Sequence, residues 1–219
     1  DFEEYLKKYN INEARGILDG SFQMIPSTMN NKTKWFAFKR GEVGLTNISF
    51  TLIDNHLKLE DVQSLMFLNE DEILIEEMKG IVNKNDVEFN GTVSGLKDYM
   101  FSSGKLSVKG DVKSNEFYLS DFLYASPDSK SGTIQLGEKL DLMLDVFVKE
   151  IRNNNFRGEN LSLKLEKNGH EVKIKNFDIT TSGGRLSGKG VFLEQQNGDW
   201  YTTLSANILQ IEIGTFFLQ

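Results

Sequence analysis

The side chains that most often carry chemistry are sparse in this sequence and form no spaced motif. The chain has no cysteine and two histidines, His56 and His170. Each histidine follows a turn-forming pair, Asp-Asn before His56 and Asn-Gly before His170, and this context is typical of solvated turns rather than of metal ligands. The absence of cysteine excludes disulfide frameworks, thiolate zinc sites and cysteine nucleophiles.

The acidic and glycine-rich clusters lack the surroundings that binding of a metal or a phosphate needs. Residues 70–72 (EDE) and 76–77 (EE) lack the spaced ligands, the glycine and the distal Glu of a calcium loop. Residues 182–184 (SGG) and 187–190 (SGKG) neither follow a buried parallel strand nor open a helix, as a phosphate loop does. A glycosidase would need two converging carboxylates, and no motif supports such a pair. We therefore predict a protein without catalytic residues, metal or cofactor.

The composition is that of a folded domain with an acidic balance. The 219 residues are 39% hydrophobic and 26% charged, and the net charge is −7. An acidic chain without clustered positive charge does not fit a nucleic-acid partner. No stretch approaches the roughly 18 to 20 apolar residues of a membrane span. Because the chain begins at Asp1 without a leader, we treat it as a segment of a longer protein and expect any membrane anchor to lie outside it.

Apolar and polar residues alternate along most of the chain, which predicts strands with one buried face. The clearest run has an apolar residue at every second position from Leu140 to Val148. Turn signals such as Asn168-Gly169 and Ser182-Gly183 separate the runs and predict antiparallel neighbours.

A few features interrupt this alternation. The two prolines, Pro26 and Pro127, are expected in loops because a central strand does not spare an N–H donor. Only residues 2–9 have helical spacing. Near Asn47 and Asn176 the apolar residues change from odd to even positions of the alternation, or the reverse. We therefore predict corners there, at which a strand turns and a second short strand begins.

The sequence matches itself at an offset of 99 residues, which pairs Ile75 with Ile174 and Gly91 with Gly190. After a loop the offset becomes 94. We predict four regions, namely an N-terminal helix with the end of a preceding repeat (1–42), a first β repeat (43–123), a linker (124–139) and a second β repeat (140–219). The predicted fold class is all-β, an elongated antiparallel sheet of two repeated meanders, curved into a trough or a sandwich, with one short N-terminal helix.

Three stretches of the second repeat carry a family pattern. They are Ile174 to Gly190 (IKNFDITTSGGRLSGKG), a hairpin that leads into a strand at Trp200, and the closing tail from Ile211 to Phe217. Together they resemble the AsmA and TamB group of bacterial envelope proteins, in particular the C-terminal region of AsmA-like proteins of the Bacteroidetes type. The resemblance covers nearly the whole chain.

The resemblance implies a long β-trough that is apolar inside and polar outside. It also implies a periplasmic protein that is tethered to the inner membrane by an N-terminal helix and moves phospholipid toward the outer membrane. That helix is absent from this sequence, so transport across an envelope is not expected of this segment alone. The implied partners are phospholipid or another acyl-chain ligand, a membrane reached through an anchor outside the segment, and adjoining repeats of the same chain.

A sheet with one apolar face must cover that face with another sheet, a helix or an apolar ligand. If the cover is lipid, we expect the groove to be lined by Leu142, Leu144, Val146, Leu163, Leu165, Ile174, Leu186, Phe192 and Leu204. If the cover is a second sheet, the chain is a structural or adhesive β-sandwich that binds partners through its loops. The sequence leaves both alternatives open.

Overall fold

The computed structural model describes residues 11–29, 33–52, 57–101, 104–123, 138–154, 156–195 and 199–211. The predicted helix over residues 2–9, the loop around Pro127, and the closing tail beyond residue 211 lie outside these ranges. No helix among the described residues is long and apolar enough to cross a membrane.

Within the described ranges, alternating apolar residues form eleven strands that lie side by side, in chain order, in one sheet. The strands are β1 (Ile11–Met29), β2 (Thr33–Leu52), β3 (Leu57–Asn69), β4 (Glu72–Val82), β5 (Asn85–Ser94), β6 (Leu106–Tyr118), β7 (Leu140–Asn153), β8 (Phe156–Asn168), β9 (Glu171–Thr181), β10 (Gly184–Glu194) and β11 (Trp200–Leu209). Two short helices, α1 (Leu96–Phe101) and α2 (Ser120–Leu123), flank β6. The prediction of an all-β protein with one long sheet is confirmed.

One strand pair departs from the antiparallel order. Strands β6 and β7 are parallel, with Leu106 opposite Leu140 and Val112 opposite Val146, whereas the other nine pairs of described strands are antiparallel. A parallel pair needs a long connection, and the segment between Tyr118 and Leu140 provides one. We call this β6–β7 pairing the parallel seam.

The strands on either side of the parallel seam recur at the offset found in the sequence. Strands β8 and β9 begin and end 99 residues after β3 and β4. The tight turn at Asn83-Lys84, with φ of 47° and 73°, recurs at Ser182-Gly183, with φ of 48° and 74°. Positive φ at both central residues is the geometry of a hairpin turn whose twist matches that of its strands. The division into four regions stays a prediction, and its boundary at residues 42 and 43 falls inside β2.

The expectation that Pro26 lies in a loop was wrong, because Pro26 lies within β1. Strand β1 is at the edge of the sheet. On an edge strand every second N–H group has no neighbour to bond, so a proline is tolerated there.

The predicted corners at Asn47 and Asn176 are bulges within continuous strands. The pairing of β2 with β3 shifts between Leu45 and Ile48, and Asn47 has a φ of 51°. The pairing of β10 with β9 shifts opposite the segment from Ile174 to Phe177, which contains Asn176. The flip of phase was therefore predicted correctly, but no second strand begins at either position.

Hydrogen bonds to Asp86, near the start of β5, fix the end of β6. The Asp86 carboxylate accepts the backbone N–H groups of Asn115 (2.9 Å) and Glu116 (3.0 Å), and the Ser114 hydroxyl donates to it (3.3 Å). Burial raises the pKa of Asp86, but the hydrogen bonds from Glu116 and Asn115 outweigh burial and hold the pKa below its usual range.

Replacing Asp86 by asparagine should make stability less dependent on pH in the acid range. A carboxylate whose pKa is lower in the folded state contributes stability that is fully present above the unfolded pKa and is lost as the pH falls through the folded pKa. Urea unfolding at about pH 7 and about pH 3 should therefore show a smaller acid loss for Asp86→Asn than for the unchanged protein. Asp111→Asn, at an exposed position on β6, serves as the control, and an equal acid loss in both variants would contradict the expectation.

Candidate functional site: the apolar inner face

One row of residues crosses all eleven strands on a single face of the sheet. Residues directly opposite each other on paired strands project to the same face, so the register traces the row. From Leu144 on β7 the row passes through Leu165, Ile174 and Gly190 to Leu204 on β11. Toward β1 it continues through Gly110, Gly91, Ile75, Met66, Val43 and Gly20. We call it the middle row, and the face that carries it the inner face.

All nine residues predicted to line a groove project from the inner face of β7 to β11. Leu144, Leu165, Ile174 and Leu204 are in the middle row, Leu142 and Phe192 flank it on one side, and Val146, Leu163 and Leu186 lie on the other side. Leu144 is directly opposite Leu165, and Val146 is directly opposite Leu163. The structure therefore brings all nine together on one surface.

The inner face is the more buried face of the central strands, although the described strands supply no second sheet to cover it. Its most buried part is a cluster of Val148, Leu161 and Ile179, against which Phe117 and Phe156 pack. Burial extends to Val43 on β2, which is 8% exposed, and decreases on the two edge strands, where Phe22 on β1 is 50% and Leu204 on β11 is 59% exposed. The inner face thus has a closed region at its centre and open apolar margins.

Glycines let the inner face fold tightly between β5 and β6. Gly91 and Gly110 are directly opposite each other in the middle row. A Cβ atom added to Gly91 would lie 2.8 Å from the Gly110 Cα atom and 2.7 Å from the Phe89 ring. Such distances are shorter than any ordinary contact, so only glycine allows this approach of the two strands.

The outer face of the same strands carries cross-strand ion pairs. Lys164 lies 3.0 Å from Asp145, and Lys175 lies 3.0 Å from Glu166. Exposed pairs of this kind contribute at most about 1 kcal/mol each. They mark a solvated surface, although Met143 on this face is apolar and 52% exposed.

Lys167 is a buried charged residue on the inner face, and the sequence did not predict it. It is directly opposite Leu142 and is only 3% exposed. Its ammonium group donates to the carbonyl oxygens of Leu140 (2.6 Å) and Gly169 (2.8 Å). Burial lowers the pKa of Lys167, and the nearby Asp141 carboxylate opposes this effect. The signal in the sequence is that Lys167 continues the alternation of Leu161, Leu163 and Leu165 in phase.

The residues considered for metal binding do not converge in the part of the chain that the structure describes. His56 lies outside the described residues. His170 is half-exposed, and its ring lies 3.0 Å from Glu138 and 3.3 Å from Glu194. The described residues contain no group of three or more His, Cys, Asp or Glu side chains that could hold a metal ion.

The inner face defines a β-sheet protein with a one-sided apolar surface. The chain matches no model of a protein family, no curated protein and no solved structure.

Proposed function

We propose that this chain is a noncatalytic segment of an AsmA-like envelope protein and that its inner face binds the acyl chains of phospholipid. One observation carries the proposal, namely that apolar residues of all the described strands face one side of a single sheet and are exposed toward its margins. An acyl chain can cover such a surface without directional contacts, and burial of apolar area alone supplies the driving force.

The dimensions of the inner face suit this ligand. Neighbouring strands lie about 4.8 Å apart, so the five strands from β7 to β11 extend over about 19 Å. An acyl chain lying along the middle row would cross these strands and contact Leu144, Leu165 and Leu204. Lys167 then forms a polar limit beside Leu142, outside the middle row.

In this proposal the segment works in the periplasm, in outer-membrane biogenesis, as part of a protein tethered to the inner membrane by another segment. The sandwich alternative needs a second sheet, and all the described strands lie in one sheet. The described residues therefore favour the lipid-binding alternative.

Photocrosslinking with a matched pair of positions tests the proposal. A photoreactive residue at Leu144 faces the inner side, and the same residue at Met143 faces the outer side of the same strand. After incubation with phospholipid vesicles, mass spectrometry should find at least about fivefold more lipid adduct at Leu144 than at Met143. The reason is that acyl chains lose contact with water when they bind to the apolar inner face. Met143 is the more exposed of the two, so unspecific contact would label it at least as strongly as Leu144, and that result would refute the proposal.

A further inference from the structure

Strand β11 is the last of the described strands in the sheet, and its own sequence carries none of the features that protect an edge. Its ten residues, WYTTLSANIL, include no charge and no proline. Every residue from Tyr201 to Leu209 is exposed, and Ile208 is 66% exposed. An uncharged edge strand of this length is a template for pairing with another strand.

The opposite edge, β1, is protected in the ways that natural sheets use against pairing. It carries Glu13, Arg15 and Asp19, and it contains Pro26. Its pairing with β2 shifts at three points. Charges, proline and bulges all oppose the addition of a further strand. The two edges of the sheet therefore differ, and β11 is the one suited to accept a strand.

The parallel seam indicates which kind of strand β11 fits. Gly91 is opposite Gly110 on β6, and its counterpart 99 residues later, Gly190, is opposite Leu204 on β11. Strand β11 thus occupies the place in the second half that β6 occupies in the first. On the side of β6 that faces away from β5, β7 pairs with it in parallel.

We propose that the free edge of β11 is an interaction surface for a strand of the β7 type, added in parallel and in the register of the parallel seam. In that register Leu204 takes the place of Gly110, so it lies opposite the residue equivalent to Leu144. The apolar rows of the inner face then continue onto the added strand. The partner is an extended segment with apolar residues at alternate positions, as in a further repeat of the same kind.

The backbone of β11 is oriented for this pairing. In β6 the N–H group of Leu106 donates to the Lys139 carbonyl oxygen on the β7 side (2.8 Å). Successive N–H groups of a strand point to alternate sides, so those of Val108, Gly110 and Val112 also face β7. Ala206 on β11 is the equivalent of Val112 on β6, because Leu204 is the equivalent of Gly110. Its N–H group therefore points away from β10.

A peptide of residues 138–154, which contains β7, tests the proposal. The chain has no cysteine, so one engineered pair supplies the only thiols. Asp111 is opposite Asp145 in the parallel seam, and Ser205 is its equivalent on β11. A protein with Ser205→Cys should therefore form a disulfide with an Asp145→Cys peptide at least about fivefold faster than with a Phe147→Cys peptide, because only the first pair is in register.

Two binding controls accompany the cross-linking, both read by anisotropy of the labelled peptide. Ala206→Pro removes an outward N–H group but no bond to β10, so we expect roughly tenfold weaker binding with an unchanged circular dichroism spectrum. A peptide in which Leu142, Leu144 and Val146 are serine should also bind roughly tenfold more weakly, and this control does not depend on protein folding. Absence of binding, equal cross-linking of both cysteine peptides, or unchanged binding by the serine peptide would each overturn the proposal.

Discussion

Replacing Gly91 by alanine should lower the free energy of unfolding by about 3 kcal/mol, which corresponds to a melting temperature lower by roughly 6 to 12 °C. The new Cβ atom would overlap the Lys109 carbonyl oxygen and lie 2.8 Å from the Gly110 Cα atom. Both are backbone atoms of β6, which is held to β5 by a continuous ladder. Relief of the overlap therefore requires two strands to separate, and rotation of a side chain is not enough.

Gly190→Ala is the matched control, because Gly190 holds the same place in the second half. Its added Cβ atom would lie 3.3 Å from Leu204 Cδ1 and from Phe192 Cε2, and both are flexible ends of side chains. We expect a change of within about 1 kcal/mol, measured for both variants by urea and thermal unfolding. A similar loss of stability in the two variants would show that β5 and β6 do not approach as closely as described.

The inner face could be predicted from the sequence because a strand has a side-chain period of two. Once Leu142, Leu144 and Val146 are assigned to a strand, they must share a face, and a tight turn then aligns the next strand with them. The nine groove residues were chosen on this basis, and all nine lie on the inner face. Whether that face binds lipid stays a prediction, since alternation does not specify what covers a surface.

The parallel seam could not be predicted in the same way. A short turn such as Ser182-Gly183 can be recognised in the sequence and indicates that the two strands it joins are antiparallel neighbours. A parallel pair is joined by a long connection, and no local sequence signal marks it. The sequence also does not show that Gly91 is more crowded than Gly190. The sequence aligns the two glycines, but the crowding at Gly91 comes from Gly110 on another strand, and the opposite residue in the second half is Leu204.

Lys167 shows a further limit of sequence patterns. Its phase placed it on the inner face, yet a buried ammonium needs acceptors that local sequence does not reveal. One acceptor, the Leu140 carbonyl oxygen, is 27 residues away in the chain. The site of a buried charge is thus decided by the tertiary structure.

Replacing Ile174 by glutamate should abolish most lipid binding if the proposed function is correct. Ile174 lies in the middle row between Leu165 and Gly190, so an ionised carboxylate there would face the acyl chain. Placing a charge against hydrocarbon costs well over 1.4 kcal/mol, so binding should fall by at least about tenfold. The measurement is the amount of phospholipid bound per protein after incubation with vesicles and gel filtration, determined by mass spectrometry.

Asn176→Glu provides the control, because it introduces the same charge two residues away on the outer face. Asn176 is exposed and lies opposite Lys164, which can pair with the new carboxylate. This variant should bind lipid as the unchanged protein does. Lowering the pH to about 5 should restore part of the binding of Ile174→Glu, because an apolar environment raises the pKa of a carboxyl group and favours its neutral form. Equal lipid binding by both variants at neutral pH, with both folded by circular dichroism, would place the lipid somewhere other than the inner face.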